Sequence, residues 1–163
     1  MARLKFDNTY VVFQEIPDQI SLSISITGCP FRCRGCHSPE LREDLGEELN
    51  EDTLDTLIAK NKGISCVLFL GGDANPQQIK VLSRYIKDRY PDLLTGWYSG
   101  SNKLPPDSIL YELDYIKIGE YIDSLGGLRD INTNQKLYKV KHVGPRGAFL
   151  LENITNRLNE RKS

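Results

Sequence analysis

The sequence is short of several things, and each shortage narrows the reading. Its 163 residues carry 21 basic and 22 acidic side chains, a net charge of −1. No global field therefore points to nucleic acid or to an acidic membrane surface. No long apolar run is present near the start; the longest there is Tyr10-Val11-Val12-Phe13, far below the ~20 residues of a membrane span or the core of a signal peptide. There is no internal repeat and no low-complexity linker. The expectation is one domain with a real hydrophobic core, cytoplasmic, with no nucleic-acid and no membrane partner. Cysteine is scarce as well, at four. Three of the four, however, are Cys29, Cys33 and Cys36, packed onto one stretch with the spacing C-x3-C-x2-C. In a reducing compartment such a cluster binds metal rather than forming disulfides. Cys66 stands apart in the apolar run Ser65-Cys66-Val67-Leu68-Phe69-Leu70 and reads as a buried core thiol.

What is present alternates between strand and helix signals. Thr9 to Gln14 reads as a short strand, with a turn at Pro17-Asp18. Ser21-Leu22-Ser23-Ile24-Ser25-Ile26 alternates polar and apolar, which is strand periodicity, and runs straight into the cysteine stretch. A helix follows, with Asn50 as cap, Glu51 and Asp52 at its positive end and Leu54, Leu57 and Ile58 as its apolar face. Ile64 to Leu70 is a buried parallel strand ending in Gly71-Gly72-Asp73. A second helix is punctuated by Asn75 as cap and Pro76 at its first position, with Ile79, Leu82 and Ile86 inward. Leu94 to Tyr98 is a strand ending in Ser99-Gly100, and Tyr115 to Ile118 is another ending at Gly119. The fold class is α/β with a mainly parallel sheet. The cysteine stretch, Gly71 to Asp73, Ser99-Gly100 and Gly119 all follow strand C-termini, the edge where parallel α/β folds build their sites.

Three thiolates on one loop leave a four-iron cluster one ligand short, since such clusters normally take four. The spacing fits neither bacterial nor plant-type ferredoxins, and the paired cysteines of a zinc finger are absent. An open coordination position is what catalytic metals keep.

The motif Cys29-x3-Cys33-x2-Cys36, directly after a strand of an α/β domain, resembles the radical S-adenosylmethionine (SAM) enzymes. Gly71-Gly72-Asp73 at the end of the next parallel strand resembles that family's methionine-binding motif. The likeness is closer to the anaerobic (class III) ribonucleotide reductase activating proteins. It rests on Cys33-Arg34-Gly35-Cys36-His37-Ser38, Trp97-Tyr98-Ser99-Gly100 and Asn134-Gln135-Lys136-Leu137-Tyr138. The resemblance implies a single domain built as a partial, open parallel β/α barrel, because a complete barrel needs at least about 200 residues. Residues 1–141 would form the radical SAM core, and 142–163 an extension.

The resemblance further implies a [4Fe–4S] cluster on Cys29, Cys33 and Cys36 whose fourth iron binds SAM. Gly71, Gly72, Asp73 and Ser99 would hold the cofactor. An electron from flavodoxin or ferredoxin would cleave SAM to methionine and a 5′-deoxyadenosyl radical. That radical would take hydrogen from a glycine Cα on the large subunit of anaerobic ribonucleotide reductase, leaving a glycyl radical there.

The chain departs from the pattern at three places. Gly35 stands where many members have an aromatic residue near adenine, with His37 as its substitute or merely a capping side chain. Asp73-Ala74-Asn75 replaces Glu-Pro after the glycines. Lys117 lies near the fourth strand end, where related proteins are often acidic; it would meet the SAM carboxylate, or else be a solvated edge lysine. Arg32 and Arg34 flank Cys33 and would raise the cluster potential or dock an acidic electron carrier, unless they are plain solvated charges. Leu150, Ile154 and Leu158 recur at helical spacing, so the extension, with His142, Arg146, Arg157, Arg161 and Lys162, reads as helical, closing the sheet edge or touching a partner.

Three other functions are weighed: an activating enzyme for another glycyl-radical enzyme of the pyruvate formate-lyase type; a small radical SAM enzyme acting on a metabolite, against which the short chain argues; and a non-enzymatic iron–sulfur or zinc module. The partner, the electron donor and the oligomeric state have no marker in the sequence.

Overall fold

The computed structural model describes residues 3–28, 46–144 and 148–159. Its elements run β1 (Lys5–Val12), β2 (Ser21–Ile26), β3 (Glu47–Glu48), α1 (Glu51–Lys60), β4 (Cys66–Leu70), α2 (Pro76–Arg89), β5 (Leu94–Tyr98), α3 (Asp107–Leu110), β6 (Tyr115–Ile118), β7 (Lys136–His142), β8 (Phe149–Asn153) and α4 (Asn156–Asn159). One sheet takes the strands in the order β3-β1-β2-β4-β5-β6-β7-β8. The central four, β2, β4, β5 and β6, are parallel. Antiparallel β1 and β3 extend one side, and antiparallel β7 and β8 the other. The sheet is therefore mixed, parallel at its centre and antiparallel at its edges.

The helices form where their end signals stand. Asn50 caps α1 by accepting from the Thr53 backbone N–H, and Thr53 reciprocates in a capping box. Asn75 caps α2 through the Gln78 N–H, with Pro76 in its first turn. Their inward residues, Leu54, Ile58, Ile79, Leu82 and Ile86, share one core with Leu22, Ile24, Val67, Phe69, Trp97 and Ile116 from the sheet. The opposite face carries the alternate strand residues. There Cys66, Leu68, Tyr115 and Leu137 pack with Ile16, Leu128 and Ile154, which come from three separate non-strand segments. Gly96 makes room for the first of these, since a Cβ there would lie 2.7 Å from Ile16 Cδ1.

The extension differs from its expected form. Residues 149–153 are the strand β8, paired antiparallel with β7, and among the described residues only Asn156–Asn159 is helical. The spacing of Leu150, Ile154 and Leu158 fits a helix, but Phe149 and Leu151 alternate with Leu150, which is 61 % exposed. Phe149 and Leu151 pack against the helix-side core, and pairing with β7 satisfies the strand's backbone. The boundary at 141/142 falls inside β7, so the extension completes the sheet rather than sitting on it. Arg146, Arg161 and Lys162 lie outside the described residues.

Candidate functional site

The four parallel strands end along one rim, at Ile26, Leu70, Tyr98 and Ile118. Register places Ser25 beside Leu70, Leu70 beside Tyr98 and Tyr98 beside Lys117. These four side chains thus form the last row on the face opposite the helices. Cys29, Cys33 and Cys36 lie outside the described residues, as do Arg32, Arg34, Gly35 and His37. Cys29 follows the β2 end of this rim, Ile26, by three residues in the sequence.

Beside that end sits the glycine loop. Gly71 and Gly72 both adopt left-handed backbone, with φ of 96° and 95°, a region L side chains rarely enter. Space is tight as well, a Cβ on Gly71 standing 3.0 Å from the Ile26 carbonyl oxygen and one on Gly72 2.7 Å from Ile79 Cδ1, so the left-handed φ is what reserves both positions for glycine. Asp73 follows, and its carboxylate is held from β5: the Ser99 hydroxyl donates to Oδ1 at 2.5 Å and the Gly100 N–H to Oδ2 at 3.0 Å. Ser99, 1 % exposed, also accepts from the Ser101 N–H at 3.0 Å. The structure therefore brings together Gly71, Gly72, Asp73 and Ser99, four residues singled out from the sequence.

Lys117 completes the row. It is 8 % exposed, so it is not a solvated edge lysine. Its Nζ donates to the Gly119 carbonyl at 3.3 Å and lies 5.7 Å from the centre of the Tyr98 ring. Buried lysines are rare unless their charge has partners, and a ring face supplies a cation–π contribution. The Gln135 amide donates to the same Gly119 carbonyl at 3.2 Å. Tyr98 in turn donates its hydroxyl to the Glu15 carbonyl, and burial pushes its phenol well above the ordinary range. Cys66 is fully buried, and burial pushes its thiol up to about 12. It opens β4 whereas the rim is at Leu70, four residues or about 13 Å along the strand. It is no ligand for a centre at this rim.

Three contributors have no separate signal in the sequence. The Trp97 indole N–H donates to the Gly71 carbonyl at 2.6 Å, and Gln135 and Glu15 reach the rim as described. Trp97 and Gln135 fall within the resembling motifs, but nothing in their identity says which atoms they would hold. Glu15 contributes only a backbone carbonyl, which any residue could offer.

The rim holds bare glycine backbone, a carboxylate and a buried ammonium, and a cysteine triplet follows its first parallel strand in the sequence, the donor set of a metal-binding domain. The chain belongs to the family of 4Fe-4S single cluster domains: the family model matches residues 20–127, well over half the sequence. That match takes in all three clustered cysteines, the glycine loop, Ser99 and Lys117. No curated protein matches the chain, and no solved structure does. The metal centre is thus of the iron–sulfur type. The donor chemistry fits it, because thiolates are the normal ligands of four-iron clusters. Among the described residues, no group of three or more His, Cys, Asp or Glu side chains forms a competing metal site. Nor is any described helix long and apolar enough to cross a membrane.

Proposed function

We propose that this protein is a radical SAM activating enzyme that cleaves SAM reductively and installs a glycyl radical on the large subunit of anaerobic ribonucleotide reductase. The observation that supports it best is the meeting of two features at one rim. The strand leading to Cys29 ends beside a loop whose left-handed backbone reserves two positions for glycine and whose acidic residue is already oriented. An electron carrier or zinc module has no use for that second loop.

In this reading Cys29, Cys33 and Cys36 hold the cluster, which when bound supplies the electron that cleaves SAM. The chain's own residues bind and orient the amino-acid end of SAM. Asp73, fixed by Ser99 and Gly100, would take the amino group by accepting one of its N–H bonds. An ionised carboxylate has about four lone-pair positions, so its two protein bonds leave room for a third. Lys117 takes the carboxylate from the other side of the same row, and His37 flanks the adenine in place of the aromatic that Gly35 lacks. The sheet serves as a partial barrel whose uncovered rim admits a glycine-bearing loop of the reductase. Flavodoxin or ferredoxin supplies the electron.

The test is anaerobic reconstitution of the full chain followed by SAM and dithionite. The expected product is 5′-deoxyadenosine, and with the reductase present a glycyl-radical doublet by electron paramagnetic resonance. A fully loaded cluster that yields no 5′-deoxyadenosine overturns the proposal.

A further inference from the structure

The chain contains one tryptophan, and it is bonded to the glycine loop. Trp97 is 2 % exposed and lies in register with Phe69, on the helix-side face. From there its indole N–H reaches the Gly71 carbonyl at 2.6 Å. No described peptide bond is cis, and in a planar trans peptide the C=O and the next N–H point to opposite sides. Holding the Gly71 carbonyl against the indole therefore turns the Gly72 N–H away from the helix-side core, toward the face that carries Tyr98 and Lys117. Gly72 is buried, yet its N–H has no hydrogen-bond partner among the described residues. Buried backbone donors are paired in more than about 90 % of cases, so a donor without a partner among the described residues points to an acceptor beyond them.

We infer that Trp97 is a positioning residue, locking the Gly71–Gly72 peptide so that the Gly72 N–H is presented to an acceptor on the ligand of this rim. The inference rests on SAM being that ligand; at its amino-acid end the acceptor is the carboxylate, which Lys117 approaches from the same face. Backbone bonds from the Gly71 N–H to the Tyr98 carbonyl and from the Asn75 N–H to the Gly72 carbonyl hold the two ends of the loop, and the indole N–H adds the bond that sets the Gly71 carbonyl between them.

The test uses the full chain with its cluster loaded and oxidised, so that SAM binds without being cleaved. Incorporation of 5-fluorotryptophan gives a single fluorine resonance from Trp97. It is expected to shift when SAM saturates the site, and to stay in place with 5′-methylthioadenosine, which lacks the amino-acid end. Trp97→Phe keeps the ring and loses the donor; equilibrium dialysis should show SAM bound about 3- to 10-fold more weakly, the effect of one hydrogen bond, at unchanged iron content. A resonance that ignores saturating SAM, or moves equally with 5′-methylthioadenosine, overturns the inference, as does Trp97→Phe binding SAM like the wild type. In those cases the proposed function stands. Wild-type protein that binds no SAM by dialysis removes the proposed function and this inference with it.

Discussion

Lys117 is 8 % exposed, with its Nζ over the Tyr98 ring and donating to the Gly119 carbonyl. Lys117→Met keeps the length and the apolar stem, removes the ammonium, and is expected to remain folded. Its affinity for SAM should fall about tenfold or more, because hydrogen bonds to charged groups contribute about 1.5–3 kcal/mol. Calorimetry and equilibrium dialysis on the same preparation check both halves. A large fall in melting temperature with unchanged affinity would make Lys117 a structural lysine. Cys66 gives the complementary case. Its thiol is fully buried, pushed up to about 12, and at the far end of its strand. Cys66→Ser should bind as much iron per chain as the wild type, whereas Ser at any of Cys29, Cys33 or Cys36 should lose it. Iron analysis after reconstitution decides between them.

Between elements, α1 and α2 are joined by one carboxylate. Asp55 on α1 accepts from the Tyr85 hydroxyl at 2.7 Å and from the Tyr90 hydroxyl, at the end of α2, at 2.6 Å. Those bonds, Tyr90 first, hold the Asp55 carboxyl below its ordinary range, and the hydrogen bond that Tyr85 donates to Asp55, with burial behind it, pushes the Tyr85 phenol up to about 12. A lowered carboxyl contributes stability that is present above its unfolded value near 3.8 and is lost as pH falls through the folded value. A raised phenol contributes stability present below its unfolded value of 10.0 and lost as pH rises through about 12. The tie should thus weaken at both extremes and hold between them. Asp55→Asn should flatten the acid limb of a melting-temperature profile below about pH 4 and leave the neutral region nearly level; an unchanged acid limb would show that other groups set it. This tie has no sequence signal, because nothing in the identity of Asp55, a half-buried acid on α1, says which hydroxyls it will meet. The legible elements were those carried by local signals: α1 and α2 by their Asn caps, β2 by its strict alternation, β4 by its apolar run. The rim was legible for the same reason, since glycine or serine follows each central strand within two residues. Strand β8 was not. Helical spacing of three apolar residues outweighed the alternation of Phe149 with Leu150, and pairing with β7 is a long-range fact. Lys117 was legible as a position and illegible as an environment, because its burial comes from the row of neighbours that register assembles.

At the scale of the whole molecule the two faces of the sheet are built differently. The helix-side core is filled by α1, α2 and α3, which are local crossovers between neighbouring strands. The other face, under the candidate site, is filled by Ile16 from the β1–β2 connection, Leu128 from the β6–β7 connection and Ile154 from beyond β8. Tyr98 packs against this second core and carries Lys117 over its ring, so the site depends on chain segments remote in sequence. Cutting the chain after Val140 would remove β8 and Ile154 together, and the loss would be one of fold before it was one of partner binding. Point changes separate the two. Ile154 is 4 % exposed, and Ile154→Ala should cost about 2–5 kcal/mol as buried aliphatic truncations do, lowering the melting temperature by roughly 4 °C or more. Leu150, 61 % exposed on the adjacent strand, should tolerate Ser within about 0.5 kcal/mol. If Leu150→Ser melts like the wild type yet weakens binding to the reductase in a pull-down, β8 is a partner surface. If it leaves binding untouched while Ile154→Ala lowers stability and SAM affinity together, the C-terminal segment serves the site from within, by closing the core beneath Tyr98.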